Sequence, residues 1–144
     1  MKISYTGNIL IVGFGAIGQA LLVPLMTNLN LESKQIRVIA ADTEGQTVSN
    51  KFAVSHQIIP LNQQNFDEIL AKYLNSGDLL INVSVEVSSL ALIKWCQHHD
   101  VMYLDTCVEP WVGGYQSSKV SESSIMLCDS KPSLLTKKVL QPLL

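Results

Sequence analysis

The run Ile9-Leu10-Ile11-Val12 passes directly into Gly13-Phe14-Gly15-Ala16-Ile17-Gly18, and no other stretch of the chain restricts its fold as tightly. Four apolar residues in succession suit a strand covered on both faces, the condition of a strand inside a parallel sheet flanked by helices. The glycines are spaced for different tasks. Gly13 permits a tight turn, Gly15 lets the backbone come close to a pyrophosphate, and Gly18 allows the following helix to pack on the strand. Amides at the helix start, near Ala16 and Ile17, then meet negative charge without any Lys or Arg. A glycine-rich turn alone carries little information; strand before and helix after make Gly13, Phe14, Gly15, Ala16, Ile17 and Gly18 a dinucleotide cradle.

The same rhythm continues along the chain. Apolar runs at 8–12, 35–41, 56–59, 78–85 and 101–104 read as strands, and 16–29, 44–52, 65–74 and 87–98 read as helices between them. Alternating β and α elements predict a Rossmann-like α/β fold, a doubly wound parallel sheet in three α/β/α layers with right-handed crossovers. Pro24 removes one donor from the first helix and predicts a kink that the helix survives. With 144 residues there is room for one domain, placed at 1–115. Residues 116–144 are crowded with serines and carry Pro132 and Pro142, and they read as an irregular C-terminal tail.

Composition excludes some classes of partner. Apolar residues are 47% and charged residues 15%, which favours a buried core over a disordered chain. Ten Lys and Arg against 12 Asp and Glu give a net charge of −2, so nothing draws in nucleic acid or an anionic membrane. The start of the chain has no signal-peptide core, and three cysteines without metal spacing suit a reducing, cytoplasmic compartment.

The second half of the dinucleotide fingerprint is an acid ending the second strand. Asp42 stands there, 24 positions after Gly18, suitably spaced for a ribose-binding carboxylate. A carboxylate accepting from the 2′-hydroxyl repels a 2′-phosphate, and Thr43-Glu44-Gly45 offers no cation to receive one, so NAD is favoured over NADP. The plainer alternative, which its position also permits, is that Asp42 only caps the helix predicted from Glu44.

Ligands of open α/β sheets lie beyond the carboxyl ends of the strands. Strand four runs out through Asn82-Val83-Ser84-Val85-Glu86, and strand five through Asp105-Thr106-Cys107-Val108-Glu109-Pro110-Trp111. Glu86 and Glu109 there suit ammonium groups, with Trp111 offering a cation–π face; solvated surface charge is the plainer alternative. Asn82, Ser84 and Thr106 are candidates to bond cofactor ribose or else neighbouring backbone. Cys107 lacks an identifiable base to make it a nucleophile. Trp95 reads as core. His98 and His99, being adjacent on a helix, cannot chelate one metal and suit the helix C-terminal dipole, so no metal site is predicted.

Three stretches together resemble bacterial homospermidine synthase: 9–19, 80–89, and above all Tyr103-Leu104-Asp105-Thr106-Cys107-Val108-Glu109-Pro110-Trp111 followed by Gly113-Gly114-Tyr115. The resemblance covers about the first 115 residues. That family is related in fold to saccharopine dehydrogenase and lysine-ketoglutarate reductases. The resemblance implies a polyamine enzyme that keeps NAD as a redox prosthetic group. It oxidises putrescine to an imine, exchanges ammonia for a second amine and returns the hydride. It also implies that Gly13, Gly15, Gly18 and Asp42 hold the cofactor and that Glu86 and Glu109 line the substrate channel, where Asp is the commoner choice at position 86. The match ends at Gln116, where the family continues into a second domain, so a truncated chain that binds NAD without completing the reaction is expected. A saccharopine-type reductase domain and a non-catalytic NAD-binding module, the latter forming a homo-oligomer, are the alternatives.

Overall fold

The computed structural model describes residues 2–114 and arranges them around a five-stranded, all-parallel sheet. In chain order the elements are β1 (Ile3–Ser4), β2 (Ile9–Val12), α1 (Ala16–Asn28), β3 (Leu29–Asn30), a 3-10 turn at Ser33–Gln35, β4 (Ile36–Ala40), α2 (Gln46–Lys51), β5 (Ser55–Ile58), α3 (Phe66–Tyr73), β6 (Leu79–Asn82), α4 (Ser89–His99) and β7 (Met102–Asp105). The strand order β5-β4-β2-β6-β7 makes β2 the centre, with the chain winding outward first on one side and then on the other. β1 and β3 form a separate two-residue parallel ladder that no periodicity in so short a stretch reveals. The Rossmann-like three-layer α/β/α architecture expected from the sequence is the one observed.

Period-two alternation along β2 divides the core. Ile9 and Ile11 face one way and join Leu22, Ile36, Val38 and Val54 under α1 and α2. Leu10 and Val12 face the other way and join Leu70, Leu80, Leu92 and Trp95 under α3 and α4. Because both faces are covered, a continuously apolar strand is what the position requires. Trp95 is indeed core, its indole N–H donating to Asp67 at 2.8 Å and its ring stacked on His99 at 3.9 Å.

Most elements lie within a residue or two of the expected bounds, and two of the differences have a clear local reason. β6 stops at Asn82 instead of running to Val85, because the Asn82 side chain accepts from the hydroxyl and amide of Ser84 and turns the chain off the sheet. α2 starts at Gln46 instead of Glu44, behind Gly45 in the left-handed region at φ +75°. α1 is continuous past Pro24, as expected. At the amino edge of the sheet, Tyr5 donates to the Gly77 carbonyl at 3.0 Å, and burial, with Asp78 nearby, raises its phenol to about 12. Among the described residues no helix is long and apolar enough to cross a membrane, and no group of three or more His, Cys, Asp or Glu is placed to hold a metal. The tail assigned to 116–144 lies outside the described residues.

Candidate functional site

A cleft of about 430 Å³ opens at the carboxyl ends of β2, β4 and β6. The strands arrive there in register, Val12 opposite Ile39 on one side and Asn82 on the other. Main-chain bonds carry the ladder one step further, Gly13 N–H to Ile39 carbonyl at 2.8 Å and Val83 N–H to Val12 carbonyl at 2.9 Å. The cleft floor is thereby fixed by backbone before any side chain contributes.

The motif glycines divide by what a side chain would strike. At Gly13, φ +87°, a Cβ would lie 2.7 Å from Ser84 backbone, and at Gly18 it would lie 2.8 Å from the Gly13 carbonyl. Those two positions are glycine because the protein itself leaves no room. A Cβ at Gly15 would meet only the two Glu44 carboxylate oxygens, each at 3.9 Å, so the space above it belongs to the cleft. Gly15 is the N-cap of α1 and makes no side-chain cap bond; the first helical bond runs from Gln19 N–H to Gly15 carbonyl at 3.0 Å. The amides between them therefore lack acceptors within the helix and are available to an anion. The residues present fit a diphosphate resting on bare backbone. Phe14 contributes its main chain only. Its ring is 2% exposed, meets His56 edge-on at 5.4 Å, and would be struck by any side chain at position 45.

Three carboxylates, Asp42, Glu44 and Glu86, line the cleft, and no Lys or Arg is among its described lining residues. Asp42 Oδ1 accepts from the Glu44 N–H at 2.8 Å, so one oxygen holds the turn before α2 while the exposed residue faces the cleft. The helix-capping role weighed for Asp42 from the sequence is not the one observed: Gly45 is the N-cap of α2, and Asp42 holds the turn that precedes it. Glu86 has φ +61°, a left-handed backbone that favours glycine. Strain of that kind costs about 1–3 kcal/mol and gathers at functional sites. Val85 and Val112, each 72% exposed, are the most exposed large apolar residues among those described, and both border the cleft.

The remaining candidates, Ser84 apart, lie outside the cleft lining. Asn82 is buried, its Nδ2 donating to the Tyr103 hydroxyl at 3.4 Å, and that hydroxyl donates to Asp105 at 3.0 Å. Burial raises the Tyr103 phenol well above its ordinary value. Ser84 lines the cleft; Thr106 is exposed beyond β7 and does not border it. Glu109 is tied to α4 by its main chain, which exchanges bonds with Ser89 at 2.8 and 3.0 Å, and its carboxylate accepts from the Cys107 thiol at 3.7 Å. Slight burial and then Glu109 raise the Cys107 thiol, which opposes thiolate chemistry there. Trp111 is half-buried against Phe66 at 5.4 Å and does not border the cleft.

Sequence reasoning missed Glu44, the Ile59-Pro60-Leu61 wall and Val112 as lining residues. The signal for the wall was available: Ile59 to Leu61 follow β5 just as Asn82 to Glu86 follow β6, and the carboxyl-edge rule applies equally to both strands. Glu44 was noted only as a position without positive charge.

Glycine loop, central strand and carboxyl-edge cleft define a dinucleotide-binding domain of Rossmann type. The chain belongs to the saccharopine dehydrogenase NADP binding domain family, whose description matches residues 9–133. It is 25% identical over 122 residues to a homospermidine synthase of Mesorhizobium japonicum, covering 83% of this chain, and 29% identical over 112 residues to one of Blastochloris viridis, covering 76%. Among solved structures, the homospermidine synthase of Legionella pneumophila in complex with NAD superposes with a TM-score of 0.77 at 30% identity, over 90% of this chain. The chain spans about a quarter of the length of these relatives, 25% and 24% of the two sequences and 28% of the solved chain.

Proposed function

We propose that the chain is the NAD-holding portion of a homospermidine synthase-type enzyme of polyamine biosynthesis. One observation carries the reading: Gly15 has no packing reason to be glycine, and the room it leaves opens onto unpaired amides at the head of α1. The free thiols of Cys96 and Cys107 are in keeping with a cytoplasmic setting. Supporting the choice of enzyme is the similarity to three proteins of that name, one solved with NAD.

Bound NAD supplies the hydride acceptor and donor for the redox-neutral exchange, in which putrescine becomes an imine, ammonia is lost to a second amine, and the new imine is reduced. This chain's own residues prepare that chemistry. Amides of the glycine loop carry the diphosphate, Asp42 accepts from an adenosine ribose hydroxyl, and Val85 and Val112 offer exposed apolar surface at the border of the cleft. Glu86 meets the ammonium end of a diamine, and its charge opposes the carboxylate of a keto acid, which counts against a saccharopine-type substrate.

The reading predicts saturable heat of NADH binding to the folded chain, and no homospermidine from putrescine and NAD with the 144-residue chain alone. Absence of any dinucleotide binding to protein with an intact circular dichroism spectrum would sink it. A second expectation concerns Glu86. Glu86→Gly releases left-handed strain and raises the unfolding free energy by about 1 kcal/mol. A thermal melt that falls on this substitution would show that the carboxylate itself stabilises the fold.

A further inference from the structure

We infer that Tyr103 and Asp105, which stand outside the cleft, set the polarity of Ser84 within it, so that a ligand group lying against Ser84 has to be a hydrogen-bond donor, a hydroxyl or an ammonium. The inference rests on the dinucleotide reading above. A single line of hydrogen bonds crosses the carboxyl ends of β6 and β7. Asn82 and Asp105 are partners in the register of the two strands, and Tyr103 lies on the same face of β7 as Asp105. Ser84 Oγ donates to Asn82 Oδ1 at 2.6 Å, Asn82 Nδ2 donates to the Tyr103 hydroxyl at 3.4 Å, and that hydroxyl donates to Asp105 Oδ2 at 3.0 Å.

Each link runs one way. An ionised carboxylate only accepts, so the single phenolic proton of Tyr103 is committed to Asp105. The phenol is raised above its ordinary value, first by burial, which keeps that proton in place. Its oxygen is left with lone pairs, and these take the Asn82 amide nitrogen. The amide oxygen then faces Ser84, where it accepts from the main-chain N–H at 3.3 Å as well as from the hydroxyl. A reversed amide would set its nitrogen against the Ser84 N–H, donor to donor. Asn82 and Tyr103 are both buried, so a broken link is not repaired by solvent.

Ser84 is pinned in this place, its backbone only 2.7 Å from where a Cβ on Gly13 would lie. Its one proton is committed to Asn82, and lone pairs are what it has left for the cleft. The other polar side chains among the described lining residues are Asp42, Glu44 and Glu86, none of which donates when ionised. Every donor among the described lining residues is therefore main chain. Anions are left to the amides at the head of α1, while the side chains take groups that carry O–H or N–H. A sugar hydroxyl of the dinucleotide and the ammonium of a diamine share that chemistry. Tyr103 and Asp105 act through Ser84 and touch neither; they are positioning residues.

The test is a double-mutant cycle on the full chain, with NADH titrated by fluorescence against the parent, Tyr103→Phe, Ser84→Ala and the two combined. Tyr103→Phe removes one oxygen and keeps the buried ring. Each single substitution is expected to weaken NADH about fivefold, and the pair no more than Ser84→Ala alone, because the phenol acts only through Ser84. Losses that multiply, to about 25-fold in the pair, would mark two independent effects, as a merely structural role produces, and would overturn the inference. Tyr5→Phe, which removes a phenol from the opposite edge of the sheet, should leave the affinity as it was. Where the parent and Tyr103→Phe bind NADH alike, putrescine is titrated against both with NADH saturating. A loss of similar size there assigns the donor to an ammonium; equal or unmeasurable binding overturns the inference and leaves the dinucleotide reading standing. Failure of the parent chain to bind NADH overturns both.

Discussion

Gly15→Ala is expected to leave the chain at least as stable as before and to weaken NADH binding on the order of 100-fold, about 2.7 kcal/mol. The backbone at Gly15, φ −69° and ψ −159°, is open to any residue, and the nearest atoms to a new methyl are the ends of one flexible side chain at 3.9 Å. Fewer unfolded conformations for alanine add a small stabilisation. The same methyl occupies the space a diphosphate needs to reach the amides of α1. Gly13→Ala reverses the pattern, losing about 3 kcal/mol of stability to a left-handed backbone and a 2.7 Å overlap with Ser84. Urea unfolding together with NADH calorimetry on the two variants separates the roles. Equal destabilisation by both would mean that Gly15 is needed by the fold, and the main support for a ligand there would be gone.

The opposite edge of the sheet carries the second large effect. Asp78 is 4% exposed and accepts from Asn8 N–H at 2.7 Å, from Asn75 N–H at 2.9 Å, and from the Asn8 side chain at 3.3 Å. It pins the start of β2 to the entry of β6 beneath the two strands that later diverge around the cleft. Asp78→Ala takes the acceptor from two partly buried main-chain donors, at a cost of about 2 kcal/mol. Asp78→Asn keeps one acceptor oxygen and should lose roughly half as much. Because this cluster lies at the amino ends of the strands, the folded fraction of either variant should bind NADH as the parent does. A loss of affinity in protein that remains folded would contradict that separation of edges.

Residues whose environment is set by their own strand or helix were readable in advance. Ile9 to Val12 announce a strand buried on both faces, and Leu92, Trp95 and Cys96, at helical spacing, announce the inner side of α4. The glycine loop was legible because its three positions obey separate steric demands. Boundaries were less so wherever a side chain overrides periodicity. Asn82 ends β6 by bonding Ser84, and Gly45 delays α2, although the apolar pattern runs on in the first case and the helix formers begin earlier in the second. Within the site, Glu44 was hidden because its place on the cleft comes from a turn held by Asp42 and Gly45, which no spacing rule describes. Trp111 went to Phe66 and not to the cleft because a bulky ring gains more from packing on α3 than from standing in water.

The seam at the sheet's centre has a further consequence. Val12 is joined to Ile39 on one side and to Asn82 on the other, so the two banks of the cleft come from early and late parts of the chain. A dinucleotide lying across them is a removable cross-link between segments some 40 residues apart, and it can form only once all three strands have settled on the correct pairing. Occupancy and folding then share one equilibrium, in which ligand at 100 times its dissociation constant adds about 2.7 kcal/mol. A chain that folds with slipped strands forfeits that gain, so cofactor supply acts as a proofreader of the sheet.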